Sequence, residues 1–431
     1  MIRSPRLRIE QLENGVWVAT ESLPHIRSAS VGIYVDTGSR DESPQSNGLS
    51  HFFEHMVFKG TENIEPLEIV RRFEATGGQI NAYTSKEQTC FYGKVVDTEV
   101  ASALEVLMDM VLAAKLDSVD IKKEKEVVLE EIRGTQDHPD DLVYDLFSEA
   151  TYGTHALGLP IAGTEKSVRG LNRKLLQNHR DHIGLQVPIA IVAVGHVDHD
   201  EVLSQVRKRF KLRSQAKTLP KKPRSALARI QGEFRAGHKT LGKEVQQATV
   251  LIGGPAYSWS APQRYPLLLL HSALGDGMSS KLFQNLRETY GLVYNIFSNP
   301  EFLSHEGLFT IGFATEPKNL VKAIQEIGKE LAAIRKTGLT AKELDFAKKN
   351  ITGGILLGLE STSARMATLG RRLLGGKPQE DLNIILKGIE SVTRDDILAC
   401  AREVMNPNQW SGAAVLPKDC KIDLGKLLAK T

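Results

Sequence analysis

The strongest constraint on what this chain can fold into is that its second half repeats the order of elements in its first. Residues 28–37 have the alternation and β-branched content of a strand, and 247–253 answer them. An apolar helical stretch, 264–274, follows the second strand where a helix around His51 follows the first. The run 287–298 answers 74–85, and 339–354 answers 116–131. A chain of 431 residues is too long for one ordinary core, so the repeat implies a duplicated α+β domain. Between the copies, residues 212–230 are basic, contain prolines and lack periodicity, which reads as a linker. The expected domains are 1–213 and 233–431, joined by a linker at 214–232.

The copies differ in their ionisable groups. The first carries His51-Phe-Phe-Glu54-His55, and helical positions i, i+3 and i+4 share a face, so the two imidazoles and the carboxylate converge. Two neutral imidazoles one turn apart are half of a tetrahedral zinc site. A carboxylate beside them, not needed as a ligand, is placed to take a proton from water. The order His-x-x-Glu-His is the inverzincin motif. The same spacing also arises in a plain amphipathic helix, because short motifs recur by accident. The answering helix in the second half has only His271.

Residues 118–136 form a further amphipathic helix. Lys122, Lys123, Glu126, Glu130 and Arg133 share its wet face, whereas Ile121, Glu124, Val128, Glu131 and Ile132 share the other. Two carboxylates on an otherwise apolar face need partners, since burying one ionised and alone is costly. A metal or an arginine would serve. In the second copy the aligned positions are Ala347 and Gly354. A duplication whose first copy alone keeps the ionisable groups is what a site confined to that copy requires.

Between the two helices, 79–96 reads as a β-hairpin whose first arm, Ile80 to Ser85, is short and polar. Such a strand can accept an extended peptide through main-chain hydrogen bonds. It reads equally well as a solvated edge protected by Lys86 and Glu87.

Composition narrows the remaining classes. Hydrophobic residues make up 41% and charged residues 25%, the balance of a soluble globular protein. A formal charge of +3, from 55 basic and 52 acidic residues, leaves no electrostatic footprint for nucleic acid. No apolar run approaches the ~20 residues of a membrane span, and no apolar signal region follows the N-terminal arginines. Cys90, Cys400 and Cys420 are widely spaced and odd in number, which argues for a reducing compartment; the expected location is cytoplasmic. His138, His155, His196 and His199 fall in turns without paired spacing and read as surface histidines.

With His51-x-x-Glu54-His55, Phe58-Lys59-Gly60-Thr61, Gly77-Gly78-x-x-Asn81-Ala82 and Glu124…Glu131 together, the chain resembles the pitrilysin-type zinc metallopeptidases. It looks most like the processing-peptidase branch, and the resemblance covers nearly its whole length. The resemblance implies a fold of two α/β rolls, each an antiparallel-rich sheet covered by helices. It also implies one Zn²⁺ per chain, held by His51, His55 and Glu131, the last 76 residues past His55 at the family's spacing. Glu54 would be the general base, and Glu124 the outer glutamate that orients the site. Arg287 and Tyr294 match the family's substrate-reaching pair, and Asn81, Ala82, Tyr83 and Thr84 its substrate strand.

The activity this implies is endopeptidase cleavage of extended peptides or unfolded protein segments inside a dimeric chamber. The partners implied are peptide substrate and a second copy of the chain, or a sister subunit in a heterodimer. The competing readings are a catalytically silent structural subunit of the same fold and a metal-binding partner that activates a sister chain. Intact His51, Glu54, His55 and Glu131 weigh against the first of these.

Overall fold

Strand-forming segments of both halves assemble into two sheets of the same design. The structure is a computed structural model and describes residues 7–211, 232–377 and 380–429. The first sheet contains β1 (Leu7–Gln11), β2 (Trp17–Ser22), β3 (Ser28–Val35), β4 (Gln79–Thr84), β5 (Thr89–Val96) and β6 (Ile189–Gly195), in the order β1-β2-β6-β3-β5-β4. The second contains β7 (His238–Lys243), β8 (Ala248–Ala256), β9 (Val293–Phe302), β10 (Gly307–Thr315) and β11 (Ser411–Pro417), in the order β7-β11-β8-β10-β9. One pair in each is parallel, β2 with β6 and β7 with β11, and the other pairs are antiparallel. Strand for strand, the second order repeats the first without its outer strand β1. The fold is therefore the expected α+β duplication of antiparallel-rich sheets with helices.

The described residues divide into two compact units. One comprises 7–132, 160–211, 357–377 and 380–381; the other comprises 133–159, 232–356 and 382–429. Helices of the first half are α1 (Leu49–Val57), α2 (Pro66–Glu74), α3 (Val100–Ala113), α4 (Ser118–Asp137), α5 (Pro139–Tyr152), α6 (Glu165–Gly170), α7 (Arg173–Leu185) and α8 (His199–Arg209). Those of the second are α9 (Arg264–Gly275), α10 (Leu320–Thr337), α11 (Ala341–Gly358), α12 (Thr362–Leu374), α13 (Leu382–Glu390), α14 (Arg394–Val404) and α15 (Leu424–Leu428).

In the first unit, period-two alternation sends Val31, Ile33 and Val35 of β3 to one sheet face and Tyr34 to the other. On the first face they join Phe52, Phe53, Met56 and Val57 of α1 and an apolar stripe of α3, Leu104, Leu107 and Val111, all excluded from water. Full burial of each large side chain stabilises by roughly 1.5–3 kcal/mol, so the four of α1 seat that helix firmly. Tyr34, Cys90, Val192 and Val194 on the second face are covered by Met366, Leu369 and Leu373 of α12. Gly370 permits this approach, because a Cβ there would stand 2.4 Å from the Tyr34 ring.

The second unit solves the same problem with a helix from the other half of the chain. Val250, Ile252, Phe309 and Ile311 pack with α9, α10 and α14 on one sheet face. Leu251, Leu308, Ala413 and Val415 on the other are covered by Leu142, Val143, Leu146 and Phe147 of α5. The expected domains 1–213 and 233–431 are continuous stretches, whereas the compact units are interleaved in sequence. The reason is that a sheet with two apolar faces needs two helical layers. Each covering helix, α5 and α12, belongs to the unit whose sheet face it fills rather than to the unit nearest in sequence. Of the expected linker 214–232, all but Gly232 lies outside the described residues. Among the described residues, no helix is long and apolar enough to cross a membrane.

Candidate metal centre

The centre is built on α1, whose apolar residues point one way and whose His51, Glu54 and His55 point the other. The helix starts at Gly48 with φ +90°, a left-handed conformation that suits glycine, and it has no side-chain cap of its own. Its first amides are taken instead by Glu42, which accepts from Gly48 N and Ser50 N, each at 2.6 Å. A carboxylate at a helix N-terminus gains from both the orphan donors and the helix dipole. Burial pushes Glu42 up to about 7 against these donors. Asn47 Nδ2 donates to Pro160 O at 2.9 Å, so the start of the helix is tied down on both sides.

The helix α4 brings Glu131 to the two histidines. Glu131 Oε1 lies 3.6 Å from His51 Nε2, and Oε2 lies 3.4 Å from His55 Nε2. One ligand atom from each of the three residues falls within 4.8 Å of the others. These separations are too long for hydrogen bonds. They match the ~3.3 Å edge of a tetrahedron whose centre is about 2.0 Å from each donor, the zinc distance for imidazole and carboxylate. Two imidazoles and one carboxylate are also the donor set of a catalytic rather than a closed structural zinc site. The residues present therefore fit the metal.

Of the two imidazoles, His55 is the better oriented. Its Nδ1 donates to Glu124 Oε1 at 2.9 Å, which leaves Nε2 turned toward Glu131. The other oxygen of Glu124 accepts from Lys59 Nζ at 2.7 Å, satisfying a carboxylate only 6% exposed. Burial works to raise Glu124, but His55 and Lys59 outweigh it and hold the carboxyl below its ordinary range. His51 lacks such a support: its Nδ1 is buried without a hydrogen-bond partner among the described residues. Burial, with the neighbouring His55 adding to it, takes His51 down to about 4. Burial also pulls on His55, yet the hydrogen bond to Glu124 and the nearby Glu131 carboxylate carry it up to about 9. The imidazoles thus divide the work, one proton-free by desolvation and one polarised by two carboxylates.

Glu54, between the histidines, is not among the three converging residues. Its Oε2 accepts from Thr84 Oγ1 at 2.5 Å, and burial raises the carboxyl while that bond opposes the rise. Thr84 ends β4, which is the edge of its sheet. Ile80, Ala82 and Thr84 face α1 and α2, and Gln79, Asn81 and Tyr83 face the other side of the sheet and are more exposed, an alternation visible in their burial. Asn81 Oδ1 accepts from Ala82 N at 2.8 Å, and the Tyr83 ring stands 6.2 Å from that of Tyr92. A cleft of about 400 Å³ runs along this strand, lined by Gln79, Ile80, Asn81, Phe58 and Tyr92 among others.

Arg287 and Tyr294 belong to the second unit. The Arg287 guanidinium lies over the Tyr294 ring at 4.8 Å and over Phe283 at 4.7 Å. Arg287 sits on a π-helical turn, Phe283–Thr289, and Tyr294 on β9 is 76% exposed. The answering positions in the second copy keep one imidazole, His271, whose Nδ1 pairs with Ser298 Oγ at 2.8 Å, and Ala347 is buried in apolar surroundings. Of the other histidines, His199 is not on the surface. It is 6% exposed and bonded through Nδ1 to Thr20 Oγ1 at 2.7 Å, because its side of α8 packs on β2.

Lys59 and Glu42 carry no role in the sequence reading. Lys59 is one helical turn beyond His55, a spacing that could have linked it to the site. Glu42 acts across a loop, and no periodicity signals it.

Residues 17–165 match the family described as Insulinase (Peptidase family M16), and residues 172–351 match the Peptidase M16 inactive domain. An uncharacterized zinc protease of Mycobacterium leprae is 38% identical over 410 residues, covering 94% of this chain and 90% of its own. The uncharacterized zinc protease YmxG of Bacillus subtilis is 37% identical over 396 residues, covering 91% and 94%. Among solved structures, a protease from Helicobacter pylori has the same fold, with a TM-score of 0.85 at 23% identity over 96% of this chain and all of its own. Fold, converging donors and relatives agree, and the chain belongs to peptidase family M16.

Proposed function

We propose that this protein is a zinc-dependent endopeptidase that cleaves extended peptides or unfolded protein segments. The observation that carries the reading is the convergence of His51, His55 and Glu131, with Glu54 beside them and left out of the donor set. A bound Zn²⁺ would supply Lewis acidity toward a water and a peptide carbonyl. The fourth, open position of a three-donor site is where such chemistry takes place.

Glu54 takes a proton from the attacking water onto its carboxylate and delivers it to the leaving amine nitrogen. Its environment suits both steps, since burial raises its affinity for the proton and Thr84 restrains that rise. Glu124 and Lys59 keep the His55 ring in place. The free edge of β4, with Asn81, Ala82, Tyr83 and Thr84, holds the substrate backbone as an added strand. Arg287, half-buried, and the exposed Tyr294 of the second unit reach substrate from a second copy in a homodimer. One Zn²⁺ per chain and a cytoplasmic location complete the reading.

Zinc content and cleavage of a quenched, unstructured peptide library test it, using the purified wild type and Glu54→Gln. Wild type should cut, whereas Glu54→Gln should keep about one zinc per chain and lose several orders of magnitude in kcat. If both bind zinc and neither cuts, the endopeptidase reading of the single chain fails.

A further inference from the structure

Glu54 has three rotatable side-chain bonds, and a base that wanders wastes the geometry its helix supplies. Among the described residues its single hydrogen-bond partner is Thr84, whose Oγ1 donates to Glu54 Oε2 at 2.5 Å. The direction is settled by chemistry, because a carboxylate only accepts. A charge-assisted O–H bond of this length is among the stronger ones in a protein.

Both ends of this bond hang on one strap, residues 38–42. Ser39 N donates to Ser85 O at 3.2 Å and Arg40 N to Lys86 O at 2.8 Å, fastening the strap to the residues just after Thr84. The Arg40 side chain, 1% exposed, forms an ion pair with Glu87 in the same turn. At its other end, Glu42 caps α1 through Gly48 N and Ser50 N. The strap therefore sets the end of β4 against the start of α1, and the remaining freedom is the rotamer of Glu54 itself. Threonine suits the task, since β-branching stiffens χ1 and the residue fits a strand.

We propose that Thr84 is a positioning residue: its hydroxyl holds the Glu54 carboxylate against β4, the strand along whose open edge an extended peptide would lie. The role is distinct from main-chain binding of substrate by the same strand, and it rests on the endopeptidase reading above. A structural threonine would satisfy its hydroxyl on any acceptor. This one donates to the group that the reading makes the base, from the strand that the reading gives to substrate.

The test compares wild type, Thr84→Val and Thr84→Ser for kcat, KM and zinc content on one quenched peptide, and for the Glu54 rotamer in crystals. Valine keeps the shape and strand preference and removes the donor. Thr84→Val should keep zinc and KM and lose about tenfold to a hundredfold in kcat, the worth of a hydrogen bond to a charged group. Thr84→Ser should recover most of the loss. In crystals of Thr84→Val the carboxylate should turn away from β4. Wild-type kcat in Thr84→Val, no recovery in Thr84→Ser, or an unmoved Glu54 in the crystal would each overturn the proposal. If wild type itself cuts nothing, the endopeptidase reading falls, and the crystal comparison alone decides whether Thr84 orients Glu54.

Discussion

His55 Nδ1 donates to Glu124 Oε1 at 2.9 Å, and the opposite oxygen of that carboxylate is held by Lys59 Nζ at 2.7 Å. A single buried carboxylate thus fixes an imidazole tautomer with one oxygen and is itself anchored by the other. Removing the anchor should loosen the ligand without removing it. We expect Lys59→Met to weaken zinc binding about tenfold, and Glu124→Gln by up to about a hundredfold, the usual range for groups that orient a metal ligand. Competition with a chromophoric chelator measures both.

Glu131 differs from Glu124 in that it is 48% exposed and closes the donor set without packing in the core. Glu131→Gln should lower zinc affinity by more than about a hundredfold, exceeding the effect of an orienting group. The thermal midpoint of the metal-free protein should hardly move, since surface changes away from packed features usually alter stability by less than about 0.5 kcal/mol. A fall in both would mean that Glu131 serves the fold rather than the metal.

His179 of α7 lies against the Phe53 ring of α1, 5.3 Å between centroids, with its Nε2 buried and unpartnered among the described residues. Burial takes it down to about 4 from its ordinary 6.5; nearby His182 adds to this and Asp41 opposes it. The unfolded chain then binds a proton that the folded chain refuses. Stability is complete above about pH 6.5 and is lost as pH falls toward 4, by up to ~3 kcal/mol. Urea unfolding between pH 4 and 7 should show this slope, and His179→Leu should flatten it.

Gly48 starts α1 at φ +90°, and a Cβ there would meet Ala162 O at 2.6 Å. Left-handed backbone and a backbone clash together should make Gly48→Ala cost about 3 kcal/mol. The thermal midpoint reports the loss. Zinc affinity should fall with it, because His51 is only three residues beyond.

Regular elements were legible wherever pattern and burial coincide. The strand at 28–37, the helix at 118–136 and the hairpin at 79–96 are observed as β3, α4 and β4–β5 within a few residues. The repeat was legible because each strand of the first sheet but β1 has an answer at the same place in the second. β1 was missed: Leu7–Gln11 is short and only half-buried, with two apolar residues to mark it, and it owes its form to pairing with β2. The exchange of α5 and α12 was illegible for a different reason. An amphipathic helix declares that it has an apolar face and says nothing about which sheet will receive it. At the site, spacing along one helix brings His51, Glu54 and His55 together, and the paired faces of α4 single out Glu124 and Glu131. Glu42 and the Thr84–Glu54 bond depend on how a loop and a strand end meet α1, which no local period encodes.

The exchanged helices make time part of the folding problem. Tyr34, Cys90 and Val192 leave the ribosome well before residues 362–374, which cover them. At ~5–20 residues per second, the 166 residues between the end of β6 and the start of α12 take roughly ten to thirty seconds to synthesise. For that interval the nascent chain carries a greasy sheet face with nothing of its own to lay upon it, and a fragment ending near residue 211 would carry it permanently. Chaperones that shield such surfaces would be needed early, and expression of the metal-bearing half alone should give aggregates rather than a working fragment.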